Sequence, residues 1–223
     1  IGAGLAMFIV PRVPQDVKTM TSEQLRAIPT RGEGKHQVTV FMDTSCPHCR
    51  DHQRELFPAL RDAAEKKQVR LGYQVVNILD GASLAGSRLA ACARVEGIGE
   101  AEIQEALYEL ALRWDTLLQA SSSASVAPVS APASTSTAQA AAPGKLRFDQ
   151  VRDLGVQGFK DSAQQDKLRA CIDKPSAAAQ AQVKASNDLF MNLKLPGVPM
   201  MFLDGQMWDK DYPTLLKLIA SGK

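Results

Sequence analysis

Cys46-Pro47-His48-Cys49 is where residue type and spacing point most directly to chemistry in this 223-residue sequence. Two thiols at i and i+3 on a helix share one face, with Cβ atoms about 5–6 Å apart, so a disulfide between them needs little adjustment. Pro47 suits the first helical position, where its missing N–H costs nothing. That puts Cys46 at the cap, its sulfur beside unpaired backbone N–H groups and the positive end of the helix dipole. His48, inside the ring, adds a donor and, when protonated, a positive charge. Cysteines in such surroundings titrate at about 3.5–7.5 in place of about 8.5. A stabilised thiolate is a stabilised reduced form, and therefore an oxidising disulfide. In this reading Cys46 is the attacking and leaving sulfur, and Cys49 resolves the mixed disulfide. Two other readings compete. A zinc or copper site would need further ligands, drawn from His48 or His52, since Cys92 and Cys171 are isolated from each other in the sequence. An inert structural disulfide would gain little from closing so small a ring.

The elements around the motif are those the redox reading needs. Gln37–Met42 is short, apolar and β-branched, and is expected as a buried strand leading into Cys46. Leu56, Leu60, Ala63 and Ala64 then recur near helical spacing, and residues 69–76 form a second strand. Strand, helix, strand implies parallel pairing with a right-handed crossover. Residues 82–118 suggest two helices with a turn at Gly97-Ile98-Gly99, and helical patterning resumes from Phe148 to Leu168 and from Ala177 to Leu193. Met200–Leu203 reads as a strand, Asp204-Gly205 as a hairpin turn, Gln206–Trp208 as its partner, and a last helix starts near Pro213. Arg50 and His52 follow the motif on the same helix, where they either tune the thiolate or, as expected here, lie on a solvated basic helix face. Met200, Met201, Phe202 and Met207 could line a groove or a buried hairpin, and Trp114 and Trp208 are taken as packing residues.

The chain divides into an apolar opening (1–14), the first half of a sheet domain (15–81), a helical insertion (82–190) and the second half of the sheet domain (191–223). Ile1–Val10 is about half of what crosses a bilayer. With Pro11-Arg12-Val13-Pro14 after it, the run reads as the end of an export signal or membrane anchor, the alternative being an apolar arm. Residues 119–144 are Ala/Ser/Thr/Pro-rich and uncharged, too poor in bulky apolar surface to offset their ordering entropy, and are expected as a disordered linker. Lys and Arg number 26 against 24 Asp and Glu, for a formal net charge of +2, and aromatics make up 5%. That balance supplies neither a concentrated basic face nor a stacking platform, so nucleic acid is not an implied partner.

Phe41–Cys49 resembles the active-site segment of DsbA-like thiol:disulfide oxidoreductases, which have a thioredoxin fold carrying a helical insertion. Gly197–Gly205 is similar to that family's cis-proline loop, strand and turn. The resemblance implies that Pro199 is the cis-proline, that Val198 precedes it, and that this loop pairs with an extended substrate chain beside the disulfide. The acidic residue found upstream in the best-known members is missing from Val38-Thr39-Val40. Asp43 instead resembles the Asp-x-x-Cys-Pro-x-Cys variant, and either helps move a proton from Cys49 or caps the turn. The fold class expected is α/β, thioredoxin-like with an inserted all-helical subdomain.

Cys92 and Cys171 fall on helices of the insertion. In an oxidising compartment they would pair across the linker, adding on the order of 4 kcal/mol; otherwise each is a small buried apolar residue. The function implied is an exported, periplasmic or membrane-tethered oxidant that passes the Cys46–Cys49 disulfide to reduced or unfolded proteins. It would need no bound cofactor or metal, but a recycling redox partner, itself membrane-bound. The alternatives are a reductase or isomerase, a metal-binding module, and a non-catalytic thioredoxin-fold chaperone.

Overall fold

The computed structural model describes residues 18–124 and 145–222, with side chains described up to residue 119 and again from 145. In chain order the elements are α1 (Ser22–Ala27), β1 (His36–Met42), α2 (Pro47–Glu65), β2 (Val69–Val75), α3 (Gly81–Val95), α4 (Glu100–Ala124), α5 (Phe148–Val156), α6 (Ser162–Asp173), α7 (Ala177–Asn192), β3 (Met200–Leu203), β4 (Gln206–Met207) and α8 (Tyr212–Ser221). The strands form one sheet in the order β2-β1-β3-β4. Every residue of β1 is buried, as expected for a strand covered on both faces. It pairs in parallel with β2 from His36↔Val69 to Met42↔Val75, the geometry that the crossover through α2 requires.

β3 runs antiparallel to β1, with Val40 opposite Met201 and Phe41 opposite Met200. This register carries the start of β3 to the end of β1 and so sets Pro199 beside the turn that leads into Cys46. Asp204 (φ 49°) and Gly205 (φ 84°) make the two-residue turn into β4, both central residues having the positive φ of a tight hairpin. Val38, Val40 and Met42 pack with Leu71, Tyr73 and residues of α2, α3, α4 and α8 in one apolar cluster. Phe41, with the opposite orientation, joins Val76, Phe190 and Phe202 in another. The alternation along β1 therefore builds two cores from one strand.

Gly97 (φ 76°) ends α3, and the Ile98 N–H bonds back to the Ala93 carbonyl at 2.9 Å, a Schellman-type stop before α4. α4 runs on to Ala124, beyond residue 119, where the linker was expected to begin. Ala and Ser carry the helix further because no proline intervenes before Pro128. The rest of that linker, and the apolar opening, lie outside the described residues. Helix α1 was not anticipated. Thr21 and Gln24 cap it reciprocally, and that Thr-x-x-Gln spacing was there to be read. Among the described residues no helix is long and apolar enough to cross a membrane.

Candidate active site

Cys46 is the N-cap of α2 and Pro47 opens its first turn, where sequence placed them. Both thiols are free. Cys46 retains 6% of its surface and Cys49 none, whereas Pro47 and His48 are exposed. An incoming sulfur therefore reaches Cys46 alone. The Cys49 thiol donates to the Cys46 sulfur, and the backbone N–H groups of Cys49 and His48 reinforce it. Together they lower the Cys46 pKa to about 6, against the opposing effects of burial and of the Asp43 charge. The same hydrogen bond, now on the donor side, pushes Cys49 strongly upward, and burial adds to it. The Asp43 N–H points at the Cys49 sulfur from 3.4 Å and acts the other way. The pair is thus divided into an acidic thiol at the surface and a thiol behind it that keeps its proton.

Val198–Pro199 is a cis peptide bond, and the Val198 carbonyl lies 3.5 Å from the Cys46 sulfur, accepting from it in the thiol form. Two segments more than 150 positions apart therefore meet at one sulfur. Beside them an open cleft of about 520 Å³ is lined by His52, Pro199, Met200, Trp208 and Tyr212. The groove-or-core ambiguity of the methionine-rich strand resolves by residue. Met201 and Phe202 are core, whereas Met200 and Met207 stay half-buried.

Asp43 is fully buried and occupied on both oxygens. Oδ1 accepts from the Ser45 N–H at 2.8 Å, while Oδ2 accepts from the Ile78 N–H at 3.0 Å and from the Ser83 hydroxyl. Asp80, the N-cap of α3, completes a crossed arrangement: its Oδ1 accepts the Ser83 N–H at 3.0 Å and the Ser45 hydroxyl at 2.9 Å. Each serine gives its N–H to one aspartate and its hydroxyl to the other. Burial holds the Asp43 carboxyl above its ordinary range, an effect the three donors only partly offset. Gly86 of α3 lets this helix close on the turn, because a Cβ there would lie 2.1 Å from Thr44 Oγ1. Sequence reading singled out Asp43 but missed Ser45, Asp80 and Ser83. The one available signal was Asp80-x-x-Ser83, an N-cap spacing at the start of an Ala-rich helix.

Arg50 and His52 do not form a solvated face; both are buried, at 7% and 3% exposure. His52 lies one turn beyond Cys49 on the same inner face and meets the Tyr212 ring edge-on at 5.4 Å. Burial lowers the pKa of its imidazole to about 4, which leaves it neutral near pH 7. Arg50 is covered by α4. Its guanidinium lies 4.7 Å from the centre of the Trp114 ring and donates to the Ser45 carbonyl at 3.0 Å and the Thr44 carbonyl at 3.5 Å. Trp114, read as a packing residue, is also the surface on which this cation rests. Among the described residues no third His, Cys, Asp or Glu joins the cysteine pair in a group that could hold a metal ion. Cys92 and Cys171 are bonded, joining α3 to α6.

The sequence matches the family model described as "Thioredoxin" over residues 31–221. No curated protein matches it. Among solved structures, MdbA, a thiol-disulfide oxidoreductase from Actinomyces oris, superposes with a TM-score of 0.59 at 16% identity, covering 86% of this chain and 82% of its own. Chlamydia trachomatis DsbA gives 0.57 at 16% identity, with 92% and 93% covered. A thioredoxin-like oxidoreductase from Silicibacter pomeroyi gives 0.53 at 20% identity, with 87% and 90% covered. At such identities the likeness is one of fold, and it extends through the helices between β2 and β3 as well as the sheet. With the family match across both halves of that sheet, the chain belongs to the thioredoxin family and has the fold of its DsbA-like members.

Proposed function

We propose that the chain is an exported thiol:disulfide oxidoreductase that donates the Cys46–Cys49 disulfide to reduced substrate proteins. The division of the cysteine pair carries this reading: an acidic, reachable Cys46 in front of a buried Cys49 that keeps its proton. A substrate thiolate attacks Cys46 Sγ, the Cys46–Cys49 bond breaks, and Cys49 leaves and takes up a proton. A second substrate thiolate then attacks the substrate sulfur of the mixed disulfide and expels Cys46 as a thiolate. A thiol of low pKa is a good leaving group, so the second step is fast. Two electrons have entered the protein, and a recycling partner, proposed to be membrane-bound, must remove them.

In this mechanism His48, exposed beside the sulfur, and Pro47 shape the approach to Cys46. Val198 and Pro199, within reach of the same sulfur, face the incoming chain. Asp43 holds the turn through its three donors. Residues 82–190 act as an insertion in a sheet domain made of residues 15–81 and 191–223. Export is supported by the bonded Cys92–Cys171 pair, because such bonds persist in oxidising compartments. Equilibration in glutathione redox buffers tests the direction. A potential near about −120 mV supports a disulfide donor, and one near about −270 mV overturns that direction in favour of a reductase.

A further inference from the structure

Arg50 is an unusual place for a charge. It follows Cys49 directly, is buried, and among the described residues shares its nearest carboxylate with another arginine. Asp115 sits 3.9 Å from its Nη2 but is held more tightly by Arg54, at 2.9 Å. Arg54 is in turn paired with Asp51 on the exposed side of α2. Arg50 Nε finds no partner among the described residues. Its firm contacts are neutral: the Trp114 ring and the carbonyls of Ser45 and Thr44. A buried guanidinium matched by an anion only at 3.9 Å leaves positive charge partly uncompensated where the dielectric is low. The ionisable group directly after Ser45 is Cys46, and its thiolate is among the charges that favour the protonated Arg50.

We propose that Arg50, seated on Trp114 of α4, is a positioning residue that fixes the turn presenting Cys46 and supplies the positive charge that favours its thiolate. Two effects act together. The guanidinium occupies the Ser45 and Thr44 carbonyls and so fixes the backbone that leads directly into Cys46. Its charge also favours the Cys46 thiolate, whereas the Asp43 charge opposes ionisation. The helical segment between the two halves of the sheet thereby tunes the active site from outside the sheet, with Trp114 as the contact. Stacking on tryptophan suits this role, since it holds a cation without neutralising it.

This inference rests on the proposed redox role of Cys46, and the test separates the two. In the full-length reduced chain, thiolate absorbance at 240 nm is followed against pH, and the glutathione equilibrium is measured on the same samples. If the unaltered chain shows no thiol ionising below neutral pH, the redox reading itself fails. If it does, Arg50→Gln is expected to raise the midpoint by about one unit, a tenfold loss of thiolate at pH 5. At about pH 8, above both midpoints, the equilibrium shifts about tenfold toward the disulfide, which makes the protein the weaker oxidant. Trp114→Leu leaves Arg50 in place and removes its seat, and is expected to give about a threefold shift in the same direction. Arg50→Lys keeps the charge without the fork and falls between the two. Circular dichroism establishes that each variant is folded. Folded Trp114→Leu and Arg50→Lys proteins that both stay within twofold of the unaltered chain overturn the proposal, even where Arg50→Gln does not fold.

Discussion

The chain holds two cysteine pairs in opposite states, and the contrast shows what environment does to identical atoms. Cys46 and Cys49 are three residues apart at the start of a helix, facing donors. Cys92 and Cys171 are 79 residues apart, bonded, and Cys92 is buried among Leu89, Ala90, Ala91 and Ala93. The first pair has its reduced state stabilised by Cys49 S–H and the amides of α2. The second has no such helix start, since Cys92 and Cys171 sit in the last turns of α3 and α6, at the negative end of each helix dipole. A thiolate there would lack the donors that make Cys46 acidic, and the bond instead constrains a long loop. One pair is arranged to open and the other to stay closed.

Removing sulfurs from each pair in turn should separate these roles most sharply. Cys46→Ser is expected to abolish exchange, a loss of at least about a thousandfold in the oxidation of a dithiol peptide, because no other free thiol reaches the surface among the described residues. Cys49→Ser leaves the attacking sulfur without a resolving partner, so mixed disulfides accumulate and appear as slower bands on non-reducing gels. Retained turnover in Cys46→Ser would refute the assignment. The Cys92→Ser/Cys171→Ser double variant should do the reverse. A loop of 79 residues predicts about 4–5 kcal/mol lost in denaturant unfolding, in an entropic account that is itself debated. Its glutathione equilibrium should stay within about threefold of the unaltered chain.

The pH dependence sharpens the comparison further. The folded Cys46 titrates at about 6 and an unfolded cysteine at about 8.5, so its acidity is raised by folding. A depressed pKa contributes stability that is fully present above the unfolded value and is lost as pH falls through the folded one. The reduced protein should therefore gain in Tm over the oxidised protein as pH rises from about 6 to about 8.5. Cys49, pushed upward, opposes this above about 8.5, where it would ionise in the unfolded chain. Scanning calorimetry of both forms across that range checks the sign, and alkylation of Cys46 should reach half its plateau rate near pH 6. A gap independent of pH would mean that the helix start does not stabilise the thiolate. The Cys92–Cys171 bond does not titrate and should add nothing to the slope.

Much of this site was legible because its signals are local. Cys-Pro-His-Cys between a β-branched run and an amphipathic helix fixes cap, dipole and spacing within a dozen residues. Asp204-Gly205 likewise announces its hairpin. What stayed hidden depends on which surfaces meet. Nothing adjacent to Arg50 indicates that Trp114, 64 positions later, covers it, and a basic residue between Cys49 and Asp51 looks solvated. The serine–aspartate cage spans two loops joined by the register of β1 and β2, so Ser45 and Ser83 carry no sign of each other. Composition also gave way to propensity at α4, which continues through Gln119 into an Ala/Ser stretch whose low complexity suggested a linker.

The cage supplies the smallest effect and the finest test of Asp43. Sequence left it between proton acceptor for Cys49 and cap of the turn. With Oδ1 and Oδ2 taking three donors from Ser45, Ile78 and Ser83, most of its hydrogen-bonding capacity goes to holding the turn to α3. Asp43→Asn keeps the shape but turns one acceptor into a donor. The least damaging orientation leaves the amide oxygen facing Ile78 and Ser83, and sets the NH₂ against the Ser45 N–H. One buried bond beside Cys46 is then lost, for about 1–3 kcal/mol of stability. The charge that opposed thiolate formation is lost as well, so Cys46 should become slightly more acidic. Exchange with a dithiol peptide at neutral pH should remain within about threefold of the unaltered chain. If instead release from the mixed disulfide slows more than tenfold while the fold persists, Asp43 is taking the Cys49 proton, and the buried half of the pair depends on a base as well as on its burial.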